Sequence, residues 1–138
     1  MEVNTAAQEN AQKAPVKGVA PQLTAKDGQA QLDFYVKAFD ATVLNTMKGE
    51  NGKYMHINLG INDGNLLMSD AMPEYGYPYV APGGYTVHLQ VEEPQKWFDR
   101  AVAAGCTATV PMEVMFWGDR YGQLKDPFDV TWSIGGPV

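Results

Sequence analysis

The sequence predicts an α+β fold made of two consecutive βαβββ modules. Three observations carry this prediction. The steps Asn51-Gly52 and Asp63-Gly64 each separate two runs of alternating polar and apolar residues, which is typical of β-hairpins. Each half of the chain also contains a capped segment with apolar residues at helical spacing. Finally, a shift of 66 residues places Asp27 on Glu93, so that strand, capping acid and helix repeat in register.

The first module is predicted to extend from about residue 19 to residue 71. Residues 19–25 form a strand candidate, and Asp27 is suited to cap a helix that runs from about Gly28 to Phe39. The strands predicted after this helix are joined by the two glycine-containing turns and cover about residues 42–49, 54–61 and 66–70.

The second module is predicted to extend from about residue 84 to residue 135. Residues 87–91 alternate as a strand, Pro94 belongs in the first turn of a helix, and Gly105 suits the end of that helix. The remaining predictions are strands near residues 107–112 and 129–134 and a loop over residues 112–122.

Length and composition exclude several classes of protein. The 138 residues are the size of one domain, predicted to span residues 19–138. A net charge of −6 argues against nucleic-acid binding, and neither an apolar run of membrane-spanning length nor a signal-peptide pattern is present. The single cysteine, Cys106, excludes an intramolecular disulfide, is expected to be a small packed residue, and indicates a reducing, cytoplasmic location.

Residues 1–18 differ in composition from the rest of the chain. They contain no aromatic residue, isoleucine or leucine, so they cannot bury enough apolar surface to offset the entropy of ordering. We predict a disordered or weakly ordered tail. The alternative is an amphipathic helix that orders on a partner.

Alternation along the predicted strands separates two faces of each sheet. The apolar set is predicted to form the core beneath the helices and comprises Leu23, Ala25, Met55, Ile57, Leu59, Ile61, Val87, Leu89, Val91, Trp132 and Ile134. The opposite set is neutral and polar and comprises Gln22, Thr24, Tyr54, His56, Asn58, Thr86, His88, Gln90, Thr131 and Ser133. A solvent-facing sheet gives the same alternation, whereas neutral polar groups that converge on a concavity are typical of a ligand site. We expect His56 and His88 to face one cavity from opposite modules.

The predicted loop of the second module carries large side chains that loops seldom contain without a function. Trp117 and Tyr121 can wall the mouth of the cavity while Arg120 binds an anionic group of the ligand. In the alternative, Arg120 pairs with Asp119 or Asp126, and the aromatic side chains are buried at a dimer interface.

A second aromatic segment links the two modules. Residues 72–79 are rich in Tyr and Pro and, with Phe116, supply surface of the kind that interfaces use. Two small sheets also leave edges and a cavity incompletely covered. We therefore predict a homodimer.

Several motifs, together with the duplication, resemble the PhnB-like branch of the vicinal oxygen chelate superfamily. They are Lys26-Asp27 with the helix after it, Lys53–His56, Leu66–Asp70, Met115–Gly122 and Lys125–Phe128. That superfamily includes glyoxalase I, extradiol dioxygenases, fosfomycin resistance enzymes and bleomycin-binding proteins. The resemblance covers residues 19–138 and implies curved mixed sheets around a cavity, with helices on the outer face. The sequence departs from the usual pattern of this branch at two places. It has Asp129-Val130 where the branch commonly has Gly-His, and Asp40 where Gly is usual.

The resemblance implies no metal site and no cofactor. Metal-dependent members place His or Glu at positions that match Ala20, Thr86 and Ser133 here, and none of these is a ligand of that kind. Asp70 alone can match the remaining carboxylate position, and one acid does not hold a divalent ion. One alternative is that His56 or His88 binds a metal together with Asp70 or Asp119. The other is that both histidines are hydrogen-bonded residues of a sheet face and have no chemical role.

These observations predict a small-molecule-binding protein of the PhnB-like kind, acting as a metal-independent enzyme on a small polar or anionic substrate. One alternative is a protein that sequesters a ligand, as the bleomycin-resistance members do. Another is a metal-dependent enzyme of the glyoxalase or dioxygenase kind. The predicted ligand-binding residues are His56, His88, Gln22, Tyr54, Gln90, Trp117, Arg120 and Tyr121.

Overall fold

The computed structural model of the chain describes residues 16–138, so most of the tail predicted over residues 1–18 lies outside the described residues. The described chain divides into two compact units. The first consists of the residues up to Val36 and Ala41–Val80, and the second of Lys37–Asp40 and Ala81–Val138. Each unit contains one four-stranded mixed sheet. The predicted α+β class is thereby confirmed.

The first unit contains strands β1 (Gln22–Ala25), β2 (Thr42–Lys48), β3 (Tyr54–Ile61) and β4 (Gly64–Asp70), with most of helix α1 (Gly28–Phe39). The strand order is β1-β4-β3-β2, in which β1 is parallel to β4 and the other pairs are antiparallel. Asn62 and Asp63 turn the chain between β3 and β4 with φ of 48° and 64°, as a two-residue hairpin turn requires. A short 3₁₀ helix, Pro73–Tyr75, follows the sheet.

Two aspartates fix the beginning of α1. Asp27 Oδ1 accepts a hydrogen bond from Ala30 N at 3.1 Å, which confirms the predicted cap. Asp70, at the end of β4, accepts from Gly28 N at 2.6 Å through Oδ1 and from Tyr54 N at 2.7 Å through Oδ2. The Asp70 carboxylate therefore holds the helix and β3 to the end of the parallel strand pair.

A β-bulge in β3 reverses two side chains. Tyr54 and His56 pair with adjacent residues of β2, so Met55 has no opposite residue on that strand. Because the extra residue shifts the alternation, Tyr54 is buried and its hydroxyl donates to Gln29 Oε1 on α1. Met55 instead lines a cavity with Ser69. The structure thus places Tyr54 on the helix side and Met55 outside the core, opposite to the faces predicted from simple alternation.

The second unit repeats this arrangement. It contains β5 (Val87–Gln90), helix α2 (Pro94–Ala104), β6 (Thr107–Val114), β7 (Arg120–Lys125) and β8 (Thr131–Gly136). The order β5-β8-β7-β6, with β5 parallel to β8, is the order of the first unit with each strand replaced by its counterpart. The predicted duplication of βαβββ modules is confirmed.

The predicted loop over residues 112–122 is wrong at both ends. β6 continues to Val114 and β7 begins at Arg120, so only five residues form the hairpin turn. β7 lacked a strand pattern because Gly122 occupies an inward position where an apolar side chain is expected. A Cβ at Gly122 would lie 2.8 Å from the ring of Phe98 on α2. The glycine is there because the helix packs directly against the strand.

The cores follow the predicted apolar alternation, apart from the bulge. Ile57 and Leu59 are buried in the first unit, and Leu89, Trp132 and Ile134 in the second. Phe39, at the end of α1, belongs to the second unit because its ring stacks on Trp132 with centroids 4.2 Å apart. Burial of these side chains contributes on the order of 2–3 kcal/mol each.

Asp40 and Asp129 stand where the family pattern usually has glycine. Their φ angles are 54° and 68°, in the left-handed region. Aspartate tolerates this conformation better than most residues but less well than glycine. Both aspartates therefore keep the turn conformation at some cost in stability relative to glycine.

Candidate functional site

His88 lies on the edge strand β5 of the second sheet, on the open face that is turned away from α2. Its Nδ1 lies 2.7 Å from Ser133 Oγ and its Nε2 lies 2.9 Å from Gln90 Oε1. Both ring nitrogens are thus engaged, and these two contacts fix the orientation of the imidazole ring.

Aromatic side chains extend the same face toward the β6–β7 turn. The Tyr121 and His88 rings lie 6.0 Å apart, with an angle of 22° between their planes. Trp117 meets Tyr121 edge to face at 5.6 Å, and the Tyr121 hydroxyl accepts from Gln123 Nε2 at 2.9 Å. Trp117 is 52% exposed, so its ring is available to a ligand.

A glycine separates the two ring systems. Gly135 on β8 has its missing side chain on this face, since a Cβ there would lie 3.1 Å from His88 Cε1 and 3.3 Å from Gln90 Oε1. The missing side chain lets the His88 ring and the Gln90 amide lie directly against the backbone of β8. We call the surface formed by His88, Gln90, Trp117, Tyr121, Gln123 and Ser133 the His88 face.

Arg120 does not join the His88 face. Neighbouring residues of a strand point to opposite sides, and Arg120 lies on the side of Gly122 and α2. It lines a cleft of about 680 Å³ together with Glu92, Glu93 and Asp99. No ion pair joins Arg120 to Asp119 or Asp126 within the part of the chain that the structure describes, and binding of an anionic group by Arg120 stays a prediction.

The first unit carries the other predicted residues. Gln22 is exposed on the edge strand β1, and Tyr54 lies on the helix side. Burial, followed by the charges of Asp33 and Asp70, raises the pKa of the Tyr54 hydroxyl. His56 is half-buried on the open face of the first sheet, and burial lowers its pKa, so the imidazole is neutral at neutral pH.

The residues present do not fit the metal site of metal-dependent superfamily members. Ser133 Oγ is buried against His88, and Ala20 and Thr86 supply no ligand. Both carboxylate oxygens of Asp70 accept backbone N–H groups. Across residues 16–138, no group of three His, Cys, Asp or Glu side chains is placed to hold a metal ion.

Cys106 is not part of either face. Its side chain is buried, and burial, with the nearby charge of Asp126, raises the pKa of the thiol to about 12. A protonated, inaccessible thiol is a poor nucleophile. This agrees with its expected role as a packed residue.

Neither helix of the described chain is long and apolar enough to cross a membrane.

Sequence reasoning missed three polar residues of these faces as site candidates. Ser133 and Gln123 support His88 and Tyr121, and Asn45 lies buried in β2. Alternation already put Ser133 on the polar face, but β7 was not recognised as a strand and Asn45 follows an irregular position in β2. The face on which Gln123 and Asn45 lie can therefore be assigned only once the strand register is known.

Comparisons with known proteins agree on one family. Residues 19–134 match the model described as the Glyoxalase/Bleomycin resistance protein/Dioxygenase superfamily. The uncharacterized protein Mb0911c of Mycobacterium bovis is 40% identical over 126 residues, which cover 87% of this chain and 83% of that protein.

Solved structures show the same fold. TioX from Micromonospora sp. ML1 superposes with a TM-score of 0.70 at 23% identity, covering 88% of this chain and 99% of that chain. The PhnB protein from Bacillus cereus, a putative 3-demethylubiquinone-9 3-methyltransferase, gives 0.65 at 13% identity, covering 87% and 99%. The resemblance inferred from the sequence motifs is confirmed.

Proposed function

The chain belongs to the Glyoxalase/Bleomycin resistance protein/Dioxygenase superfamily, and on this premise we propose that it binds a small, planar, uncharged molecule on the His88 face. The observation that carries the proposal is the aromatic surface of this face, on which the His88 and Tyr121 rings lie at 22° to each other and Trp117 is 52% exposed. Aromatic surfaces of this kind stack on planar ligands, while a few fixed polar groups set orientation.

The charges around this face support an uncharged ligand. Arg120 lies on the other side of β7. Lys125, at the end of the same strand, has its ammonium 4.0 Å from the carboxylate of Asp129. The face offers the Tyr121 hydroxyl proton and the Gln123 Oε1, a neutral donor and a neutral acceptor, and the Glu113 carboxylate opposite Tyr121 on β6 disfavours an anionic ligand.

The state of His88 supports binding rather than catalysis. A general base needs a free lone pair within reach of the proton it removes. Here Nδ1 already contacts the Ser133 hydroxyl and Nε2 already contacts Gln90 Oε1. We therefore favour a protein that sequesters its ligand over a metal-independent enzyme, and the metal-dependent alternative lacks a fitting donor set. A cytoplasmic location stays a prediction.

A thermal-shift screen of a metabolite and antibiotic library tests this proposal. Uncharged planar compounds are expected to stabilise the protein. Trp117→Ala should weaken the affinity for the best of them about tenfold, because loss of a stacking partner and its buried area costs about 1.4 kcal/mol. Isothermal titration calorimetry on the purified variant measures this change.

The control is Tyr75→Ala, which removes an exposed aromatic side chain from the first unit and should leave the affinity unchanged. Arg120→Gln should also have no effect. Hits that are all anionic and that lose affinity in Arg120→Gln would place the site in the Arg120 cleft and refute the proposal.

We also propose that the protein forms a homodimer. Phe116 is 98% and Tyr77 66% exposed, and aromatic side chains are enriched in interfaces. Light scattering at micromolar concentration should give about twice the chain mass of 15.1 kDa. The double variant Phe116→Ser with Tyr77→Ser should shift the mass toward the monomer. A wild-type mass equal to one chain would contradict this proposal.

A further inference from the structure

The turn between β2 and β3 contains an asparagine followed by a glycine. Among the asparagines of the sequence, Asn51 alone has glycine after it. Both residues are exposed, and Gly49 N donates to Lys53 O at 3.0 Å to close the turn. Gly52 has a φ of 77°, in the left-handed region that glycine adopts without strain. The Asn51-Gly52 step therefore lies on an accessible turn that favours glycine at its second position.

The side chain of Asn51 is held against its own backbone. Its Oδ1 accepts a hydrogen bond from Lys53 N at 3.0 Å. This contact closes a ring of atoms that includes the Gly52 nitrogen, so the side-chain amide carbon, Cγ, stays close to that nitrogen. The Lys53 N–H also polarises the side-chain carbonyl. It points at the oxygen on which negative charge develops when a nucleophile adds to Cγ.

The Gly52 nitrogen is open to reaction. Gly52 has no Cβ to hinder an approach to its nitrogen, and a Cβ placed there would meet no atom within 4 Å. The Gly52 N–H donates to Gly49 O at 3.0 Å, and this bond must open before the nitrogen can turn toward Cγ of Asn51. A hydrogen bond between exposed groups opens readily because water replaces the lost partner.

We propose that Asn51 is a site of spontaneous covalent modification, at which the asparagine becomes aspartate and isoaspartate. The Gly52 nitrogen forms a bond to Cγ, the Cγ–Nδ2 bond breaks, and ammonia leaves with the proton of the Gly52 nitrogen. Water then opens the resulting cyclic imide. Cleavage of the new bond gives aspartate, whereas cleavage of the original peptide bond gives isoaspartate, whose chain continues through Cβ and Cγ. Water is the co-reactant, and no group is oxidised or reduced.

The modification changes both the charge and the length of this turn. A carboxylate replaces a neutral amide, so the net charge changes from −6 to −7. Isoaspartate also adds one backbone atom between Lys48 and Tyr54, which pair at the end of the β2–β3 ladder. The hydrogen bond from Gly49 N to Lys53 O is then expected to weaken. The Gly49 amide should consequently exchange its hydrogen with solvent faster in the modified protein.

Incubation of the full-length protein in mildly alkaline buffer at physiological temperature tests the proposal. Ion-exchange chromatography should show a growing species with one additional negative charge. Peptide mass mapping should place the exchange of NH₂ for OH at Asn51, with both aspartate and isoaspartate present. Isoaspartyl methyltransferase should transfer a methyl group from S-adenosylmethionine to this species. The species should form faster at higher pH, because the attacking nitrogen must lose its proton.

Two variants identify the reacting residue. Asn51→Gln keeps an amide in the turn but moves its carbonyl carbon one bond further from the Gly52 nitrogen, so the acidic species should not form. Asn62→Gln, in the β3–β4 turn, is the matched control and should leave its formation unchanged. The proposal is overturned if the wild type gives no acidic species or if the species persists in Asn51→Gln. Aspartate without isoaspartate would indicate direct hydrolysis and would also overturn it.

Discussion

Asp126→Ala is expected to lower the free energy of unfolding by about 3–5 kcal/mol. Asp126 Oδ1 accepts from Phe128 N at 2.8 Å and Val130 N at 3.0 Å, and Oδ2 accepts from Trp132 Nε1 at 2.9 Å. The carboxylate is buried, so alanine would deprive three buried or part-buried N–H groups of this acceptor. Since a domain of this size has about 5–15 kcal/mol of stability, this one change would remove a large share. Urea denaturation followed by circular dichroism measures the loss.

Two further variants show whether the hydrogen bonds cause this loss. Asp126→Asn keeps one acceptor oxygen for the backbone but directs an NH₂ group toward the indole N–H of Trp132, so a smaller loss is expected. Asp99→Ala removes an exposed helix carboxylate that accepts only from Gln95 and should change stability by less than about 0.5 kcal/mol. Equal stability of Asp126→Ala and Asp99→Ala would mean that the carboxylate does not hold this turn.

Gly136→Ala is expected to destabilise the second unit by about 3 kcal/mol or more. A Cβ at Gly136 would lie 1.9 Å from Val91 O and 3.1 Å from Pro94 Cδ. The closest obstacle is a backbone oxygen, which cannot rotate away as a side chain can. Val91 N also donates to Gly135 O at 2.9 Å, so separation of the two segments would break this bond. The variant should show a lower Tm, measured by differential scanning calorimetry.

Gly83→Ala is the matched control for this substitution. Its Cβ would meet no atom within 4 Å, and the variant should be neutral or stabilised by less than about 1 kcal/mol. If both variants unfolded at the wild-type temperature, the close approach of Val91 to Gly136 would be refuted.

The sequence by itself predicted the features that depend on neighbours along the chain. Asp27 caps α1, and a hairpin joins β3 to β4 as predicted, because both effects arise within four residues. The turn lies at Asn62 and Asp63, one residue before the predicted Asp63-Gly64 step. Alternation correctly buried Ile57 and Trp132, since one face of each strand must be apolar for a core to form. The 66-residue duplication correctly predicted that the second unit repeats the βαβββ element order of the first.

The tertiary structure decided the features that depend on a partner strand or helix. The bulge at Met55 turned Tyr54 toward α1, and it exists because β2 and β3 differ by one residue in length where they pair. β7 was not predicted as a strand because Gly122 stands at an inward position where an apolar side chain is expected. The residue is a glycine because the ring of Phe98 occupies the space that a side chain at position 122 would need. Arg120 lies on the helix side of β7, away from the His88 face, because the register of β7 on β8 puts it on the same side as Gly122. Which face a side chain takes depends on register, and register is set by residues distant in sequence.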